Sequence, residues 1–294
     1  RLINYTFEGL DDNLNFSNQT VDYGFFNPKV GLTYLHNNAT FYGVYAVGNR
    51  EPVRDDFRNN KPNDWPEHEQ LNNIEIGYKY RKGRKQFNIN FYDMQYTNQL
   101  VLTGAVNDVG EAVRTNVDES YRRGVEIEFQ YPIFEKLQVG GNLTFSENKI
   151  NKFTEYVGEW DEPYDIMSMD YEDTDISFSP NLISAGMLSY KVNPNFTLTS
   201  QAKYVGRQFL DNTQTNDRSL DAFTNIDLSL NYQTKDIPGI RQLTIGFYVN
   251  NVLNQYYAPN GYTFSGFINS QRQDFNYLYP MAGINWMMKL SMTL

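Results

Sequence analysis

Ile284-Asn285-Trp286-Met287-Met288-Lys289-Leu290-Ser291-Met292-Thr293-Leu294 lies at the end of the chain, and its reading decides the fold. Successive side chains of a strand point to opposite sides, so Ile284, Trp286, Met288, Leu290, Met292 and Leu294 share one face and Asn285, Met287, Lys289, Ser291 and Thr293 the other. The same period recurs upstream. Ile74, Ile76, Tyr78 and Tyr80 oppose Asn73, Glu75, Gly77, Lys79 and Arg81, and Val125, Ile127, Phe129 and Tyr131 oppose Arg122, Gly124, Glu126, Glu128 and Gln130. Segments at 137–148, 196–204, 225–232 and 243–250 alternate likewise. Two segments fit poorly. Leu182 to Tyr190 has no clean polar side, and Phe87, Ile89 and Phe91 give way to Tyr92, Met94 and Tyr96 in the opposite phase, which predicts a bulge near Phe91.

Composition agrees with an all-β chain. Aromatic residues make up 16% of the 294 residues, with 23 Tyr and 20 Phe, and Leu- or Ala-rich helical stretches are missing. The mean hydropathy of -0.60 does not exclude a membrane, because a transmembrane strand shows lipid only every second side chain. A net charge of -10 argues against nucleic acid, whose phosphates require a basic face. No cysteine is present, and the two histidines fall apart, His36 in a turn and His68 in a long connection. Neither a paired-His metal site nor a Ser-His arrangement can be assembled from them. Glu126 and Glu128 share one face of one strand and read as solvated or paired carboxylates, not as an acid and base flanking a substrate. The expectation is a protein that is not an enzyme, with no cofactor.

Connections alternate in length. Short ones are His36 to Ala39, Lys82 to Arg84, Pro132 to Lys136, Val192 to Asn195 and Thr234 to Arg241. Long ones are Gly9 to Pro28, Asn49 to Gln70, Thr103 to Ser120, Ile150 to Pro180, Gln208 to Leu220 and Asn254 to Pro280. Short turns on one side and long loops on the other are the habit of an outer-membrane barrel, with the turns periplasmic and the loops extracellular. The count is about twelve strands, the first at Leu2 to Phe7, with no domain boundary within residues 1–294. Tyr78, Tyr80, Phe129, Tyr131, Phe145, Tyr190, Phe196, Tyr204 and Tyr232 sit on the apolar face near strand ends, where barrels carry interfacial girdles. The opposite faces hold Glu75, Lys79, Lys203, Asp227 and Lys289, costly in a dry core and cheap in a wet or plugged lumen. A soluble or surface all-β carbohydrate-binding module, of sandwich or propeller build, is the alternative. It requires Ile74, Ile127, Leu228 and Trp286 to share a dry centre.

Five stretches carry a resemblance: Asn27-Pro28-Lys29-Val30-Gly31-Leu32-Thr33-Tyr34, Phe41-Tyr42-Gly43-Val44-Tyr45-Ala46-Val47-Gly48-Asn49-Arg50-Glu51-Pro52, Tyr121-Arg122-Arg123-Gly124-Val125-Glu126-Ile127-Glu128, Lys203-Tyr204-Val205-Gly206-Arg207-Gln208 and Val249-Asn250-Asn251-Val252-Leu253-Asn254-Gln255-Tyr256-Tyr257. In this order the chain resembles the C-terminal part of the β-barrel of TonB-dependent outer-membrane receptors, most of all Bacteroidetes-type receptors for iron complexes. The resemblance implies a transmembrane antiparallel barrel, with this chain supplying about 12 C-terminal strands of a roughly 22-stranded plugged wall. It implies that the plug domain and the N-terminal barrel strands lie elsewhere, along with the segment through which TonB acts. Members of the family usually end on an aromatic residue, so a residue or two beyond Leu294 is expected. The implied partners are TonB, the plug and remaining strands, outer-membrane lipid and lipopolysaccharide, and a small-molecule ligand. The implied activity is uptake of a ferric siderophore or other iron complex, with haem and cobalamin also open.

Ligand contacts are expected from loop aromatics and arginines. Trp65, Tyr156, Trp160, Tyr164, Tyr262, Phe264, Phe267 and Phe275 offer stacking area, and Arg50, Arg207 and Arg272 suit an anionic group. The acidic run from Glu155 to Asp175 reads as a solvated loop, or else as oxygen ligands for a divalent cation, although it lacks the spacing of a calcium loop.

Overall fold

The computed structural model describes residues 1–10, 16–58, 66–106, 112–162, 165–235 and 237–293. Its first elements are β1 (Leu2–Leu10), β2 (Phe16–Gly24), β3 (Lys29–His36), β4 (Ala39–Arg50), the short helix α1 (Arg54–Arg58), β5 (Glu69–Lys82) and β6 (Lys85–Val106). Next come β7 (Ala112–Phe134), β8 (Leu137–Gly158), β9 (Ile166–Asp175), β10 (Leu182–Lys191), β11 (Phe196–Val205), β12 (Gln208–Phe209) and β13 (Ser219–Leu220). The last are β14 (Phe223–Thr234), β15 (Gln242–Asn250), β16 (Asn260–Ile268), β17 (Gln271–Tyr279) and β18 (Asn285–Thr293).

One 12-stranded antiparallel sheet runs β3-β4-β5-β6-β7-β8-β10-β11-β14-β15-β18, with β9 added to the far part of β8. The sheet is open, its outer strands β3 and β18 unpaired to each other. All five short turns fall where the sequence places them. Asn37 and Gly83 take positive φ of 50° and 57° there, the conformation that lets a tight turn match the strand twist. Asn193 Oδ1 accepts from the backbone N–H of Asn195 at 2.9 Å and of Phe196 at 3.0 Å, closing the β10–β11 turn.

Register carries the alternation across the whole wall. One row pairs Gly43, Ile76, Phe91, Val125, Phe145 and Leu182 in succession, and another pairs Leu188, Ser200, Leu228, Val249 and Trp286. The opposite face carries Tyr42, Gly77, Asn90, Glu126 and Thr144 along one row. Apolar side chains of the first face stay uncovered: Ile74 is 50% exposed, Leu228 38% and Trp286 69%. No dry centre gathers them, which excludes the sandwich and propeller builds. The apolar positions from Leu137 to Phe145 span about 26 Å along β8, on the scale of a hydrocarbon band. At its short-turn edge, rings meet across strands, with Phe41 and Tyr78 at 5.0 Å and Phe196 and Tyr232 at 4.7 Å between centroids. At the other edge Arg123 bridges Glu147 on the same outer face.

The predicted bulge at Phe91 is absent. β5 and β6 pair without a shift from Lys82 and Lys85 to Gln70 and Thr97, and Tyr92, Met94 and Tyr96 lie on the inner face. That face is not uniformly polar, because its tyrosines cover glycines on the next strand. A Cβ at Gly77 would sit 2.2 Å from the Tyr42 ring, and one at Gly124 2.7 Å from the Tyr92 hydroxyl. Gly77→Val is expected to cost about 1–3 kcal/mol of folding free energy through overpacking. Adding Tyr42→Ala is expected to recover most of it in urea titration.

Long connections prove to be mostly strand. Ile150 to Pro180 contains the far part of β8 and all of β9, Thr103 to Ser120 includes the start of β7, and Asn254 to Pro280 contains the β16–β17 hairpin. Alternation is harder to follow in these stretches because β8 changes phase at Asn151 and Lys152 and its buried side then carries Glu155 between Phe153 and Val157. Gly9 to Pro28 contains β2, which pairs with β1 alone. The first expected wall strand therefore stands apart from the main sheet, and β9 makes up the number.

Candidate functional site

At the end of the wall opposite the short turns, the sheet changes character across one line. Asn98 and Asp173 both adopt positive φ, 55° and 52°, and Asn151 donates to Glu119 between them at 2.8 Å. Below the line β8 buries its even positions Asn148 and Ile150; above it the odd positions Phe153, Glu155 and Val157 are buried. Ile150, Phe153, Val101, Val117 and Ile176 form one apolar cluster. Ile150 continues the inner series Asn142, Thr144, Ser146 and Asn148, so this cluster lies on the lumen side of the flared wall.

Glu155 is the centre of what packs there. Its side chain is 3% exposed. Oε1 accepts from Arg218 Nη1 and Arg272 Nη2, both at 2.7 Å, while Oε2 accepts from Arg272 Nη1 and the Tyr171 hydroxyl, both at 3.0 Å. Arg218, in the β12–β13 connection, also donates to Asp211, and Arg272, on β17, to Asp274 and Ser265. One carboxylate thus ties three hairpins together. Burial by itself opposes ionisation of Glu155, but the bonds from Arg272 and Arg218 outweigh it and hold the carboxyl below its ordinary value of 4.5. Asp211 moves the other way, raised chiefly by burial and only partly offset by Arg218.

A pH dependence follows. A depressed folded-state pKa gives stability that is complete above the unfolded value and lost as pH falls through the folded one. Asp211, whose carboxyl pKa is raised, works in the opposite sense, so its proton uptake offsets part of that loss. Hydrogen-exchange protection of residues 260–279, corrected for the intrinsic pH dependence of amide exchange, is expected to hold above the ordinary carboxylate value and to fall as pH drops below it, while the wall strands remain protected.

The hairpin held by Glu155 has two unlike faces. Arg272, Asp274, Asn276, Ser265 and Phe267 face the flared wall and the β12–β13 connection; Asn276 donates to the Asp217 carbonyl at 2.9 Å. The other face carries Tyr279, Tyr262, Tyr277, Phe264, Phe275 and, from the end of β8, Trp160, ring against ring. Centroids are 6.1 Å apart for Tyr279–Tyr262, 5.0 Å for Tyr262–Tyr277, 5.9 Å for Tyr277–Phe264, 5.3 Å for Phe264–Phe275 and 5.5 Å for Phe275–Trp160. Trp160 fills the gap over Gly266, where a Cβ would lie 2.2 Å from the indole. The backbone N–H of Trp160 donates to the Phe267 carbonyl at 2.9 Å. The ladder is solvent-facing, with Tyr262, Tyr277 and Trp160 each nearly half exposed.

The motif Val249 to Tyr257 braces the foot of this hairpin. Asn251, at φ 52°, receives Gln255 N–H on its side-chain oxygen, donates to the Gln255 and Ala282 carbonyls, and gives its own N–H to Asp227.

Of the expected ligand residues, Trp160, Tyr262, Phe264 and Phe275 come together. Arg272 and Phe267 lie on the packed face, so Arg272 is a structural cation. Arg50 pairs with Glu69 at 2.9 Å, Arg207 donates to Asn216 at 3.0 Å, and Tyr156 points to the side of β8 opposite Glu155. Trp65 and Tyr164 lie outside the described residues. Tyr277 and Tyr279 join the site unforeseen, although the Phe275-Asn276-Tyr277-Leu278-Tyr279 alternation carries the signal of a strand. The acidic run is strand at its two ends, in β8 up to Gly158 and in β9 from Ile166, with Glu155 buried, Asp175 paired to Lys149 at 2.9 Å and Asp170 to Thr154. Among the described residues no group of three potential ligands gathers to hold a metal ion.

An uncovered apolar band outside, a polar face inside and packed hairpins over one end define a transmembrane β-barrel wall of the receptor kind. The chain belongs to the TonB-dependent receptor β-barrel family: the family model "TonB dependent receptor-like, beta-barrel" matches residues 1–252. Solved structures share the fold at low identity. The siderophore receptor PiuA from Acinetobacter baumannii superposes with a TM-score of 0.73 at 16% identity, over 95% of this chain and 37% of that one. Copper transporter OprC gives 0.66 at 15% identity over 96% and 41%, and the closed form of the ferric-catecholate import receptor Fiu from E. coli K12 gives 0.63 at 16% over 98% and 39%. The chain thus spans about two fifths of the length of these structures. Comparison with curated protein sequences returned no match.

Proposed function

We propose that this chain forms the wall and ligand-gathering hairpins of a TonB-dependent outer-membrane transporter that takes up an iron complex. The observation that carries the reading is the division of one continuous sheet into an apolar outer band and a polar inner face, with the six-ring ladder over the lumen side of one rim. Short turns are then periplasmic and hairpins extracellular, where a scarce ligand arrives. The plug and the remaining strands complete the barrel, TonB acts through the plug, and lipid with lipopolysaccharide surrounds the band. Inner-face carboxylates and lysines serve as wall, and no step of chemistry on the ligand is assigned to them.

Iron is favoured over other cargo by the structurally similar proteins, a siderophore receptor and a ferric-catecholate receptor, with a copper transporter as the exception. The test is growth of a deletion strain under iron limitation with single iron complexes supplied. Rescue by the intact gene, dependent on TonB, is the expected outcome. Equal growth of deletion and parent on every iron complex, haem included, would sink the iron reading.

A further inference from the structure

The face of β16–β17 that bears the aromatic ladder has no charged residue: its other positions are Asn260, Gly266, Ile268, Gln271 and Gln273. The guanidinium groups nearest to it are spent elsewhere, Arg272 on Glu155 and Asp274 and Arg218 on Glu155 and Asp211. Carboxylates gather at the Trp160 end instead, where Glu159, Asp161, Glu162 and Asp165 neighbour Trp160 in the chain and Asp161 accepts from the backbone N–H of Asn269 in the hairpin turn. Among the described residues, an anion approaching this face meets like charge at its Trp160 end and no cation on the face itself, whereas apolar contact and the hydroxyls of Tyr262, Tyr277 and Tyr279 are on offer.

We infer that this ladder is the contact surface for an iron complex carrying no net negative charge, of the ferric tris-hydroxamate kind, an inference that rests on the uptake reading above. Charge arithmetic separates the candidate classes. Three hydroxamates neutralise ferric iron, and three catecholates leave a trianion. The neutral complex also presents a methylene-rich exterior that packs against ring edges and faces, and carbonyls that accept from the tyrosine hydroxyls. A trianion placed beside the carboxylates at the Trp160 end is repelled across a partly desolvated surface. The family likeness to a ferric-catecholate receptor does not decide the matter, because at 16% identity it concerns the fold.

The test uses the natural full-length receptor in detergent, titrated with ferric desferrioxamine and with ferric enterobactin and followed by tryptophan quenching and retained iron. The tris-hydroxamate complex is expected to bind at least about tenfold more tightly than the trianion, a margin of the size one unfavourable charge contact supplies. Trp160→Ala and Tyr277→Ala are expected to weaken it by about tenfold while keeping the heat-resistant mobility of a folded barrel. Equal or tighter binding of ferric enterobactin by the unaltered receptor overturns the inference and leaves iron uptake standing. Failure of both complexes to bind overturns the inference, and with unrescued growth it removes the iron reading as well. The comparison of ligands on the unaltered protein requires no variant to fold.

Discussion

Replacing Glu155 by Ala is expected to release two hairpins at once while leaving the wall intact. The variant strands Arg218, whose side chain is 2% exposed, with Asp211 as its remaining carboxylate, and deprives Arg272 of its bidentate partner. Removing one member of a buried ion pair costs about 3–5 kcal/mol, because the charge left behind is neither solvated nor fully paired. The cost falls on the packing of β12–β13 and β16–β17 against the flare, since the wall strands keep their ladder bonds. Hydrogen exchange is expected to accelerate in residues 208–220 and 260–279 and not in β14, β15 or β18. Glu155→Gln keeps the shape and two acceptor or donor positions, so its effect is expected to be smaller in the same segments. A uniform loss of protection through the sheet would show that Glu155 supports the wall and not the hairpins.

Leu228→Arg is expected to impair folding into lipid far more than Ser229→Arg, one residue along the same strand. Leu228 lies in the middle of the outer band, between Ser200 and Val249, and Ser229 on the inner face. A charged arginine near the bilayer midplane costs about 2–4 kcal/mol, falling to about 0–1 near the interfaces, whereas a lumen position hydrates the same group. Urea-dependent folding into vesicles, read by heat-modifiable mobility, measures both variants side by side. Similar penalties at the two positions would contradict the assignment of the faces.

Much of the wall was legible before any coordinates. Asn73 to Arg81, Arg122 to Tyr131 and Ile284 to Leu294 alternate with period two because one side is apolar-facing and the other is not, and that asymmetry is written directly into residue order. The five short turns were legible for the same reason, being where the period breaks and Asn, Gly and Pro gather. The rim was not. From Ile150 to Gly158 and from Asn260 to Tyr279 the strands continue, but β8 changes phase at Asn151 and Lys152 and buries Glu155 between Phe153 and Val157, while the hairpin packs its polar face and exposes its aromatic one, so polarity no longer tells which side is covered. Tyr92 misleads for a different reason, since an inner tyrosine over Gly124 resembles a change of phase.

By itself, then, the order of residues determined which side chains of the wall share a face and where the chain reverses at its short turns. Tertiary structure alone decided that Glu155 is buried between two arginines, that Arg272 is spent on it, and that Trp160 completes a ladder begun more than a hundred residues later. Periodicity is a local property, set by neighbours along the strand. Which hairpin lies against which depends on loops meeting across the rim, and contacts so distant in sequence leave no repeat to read.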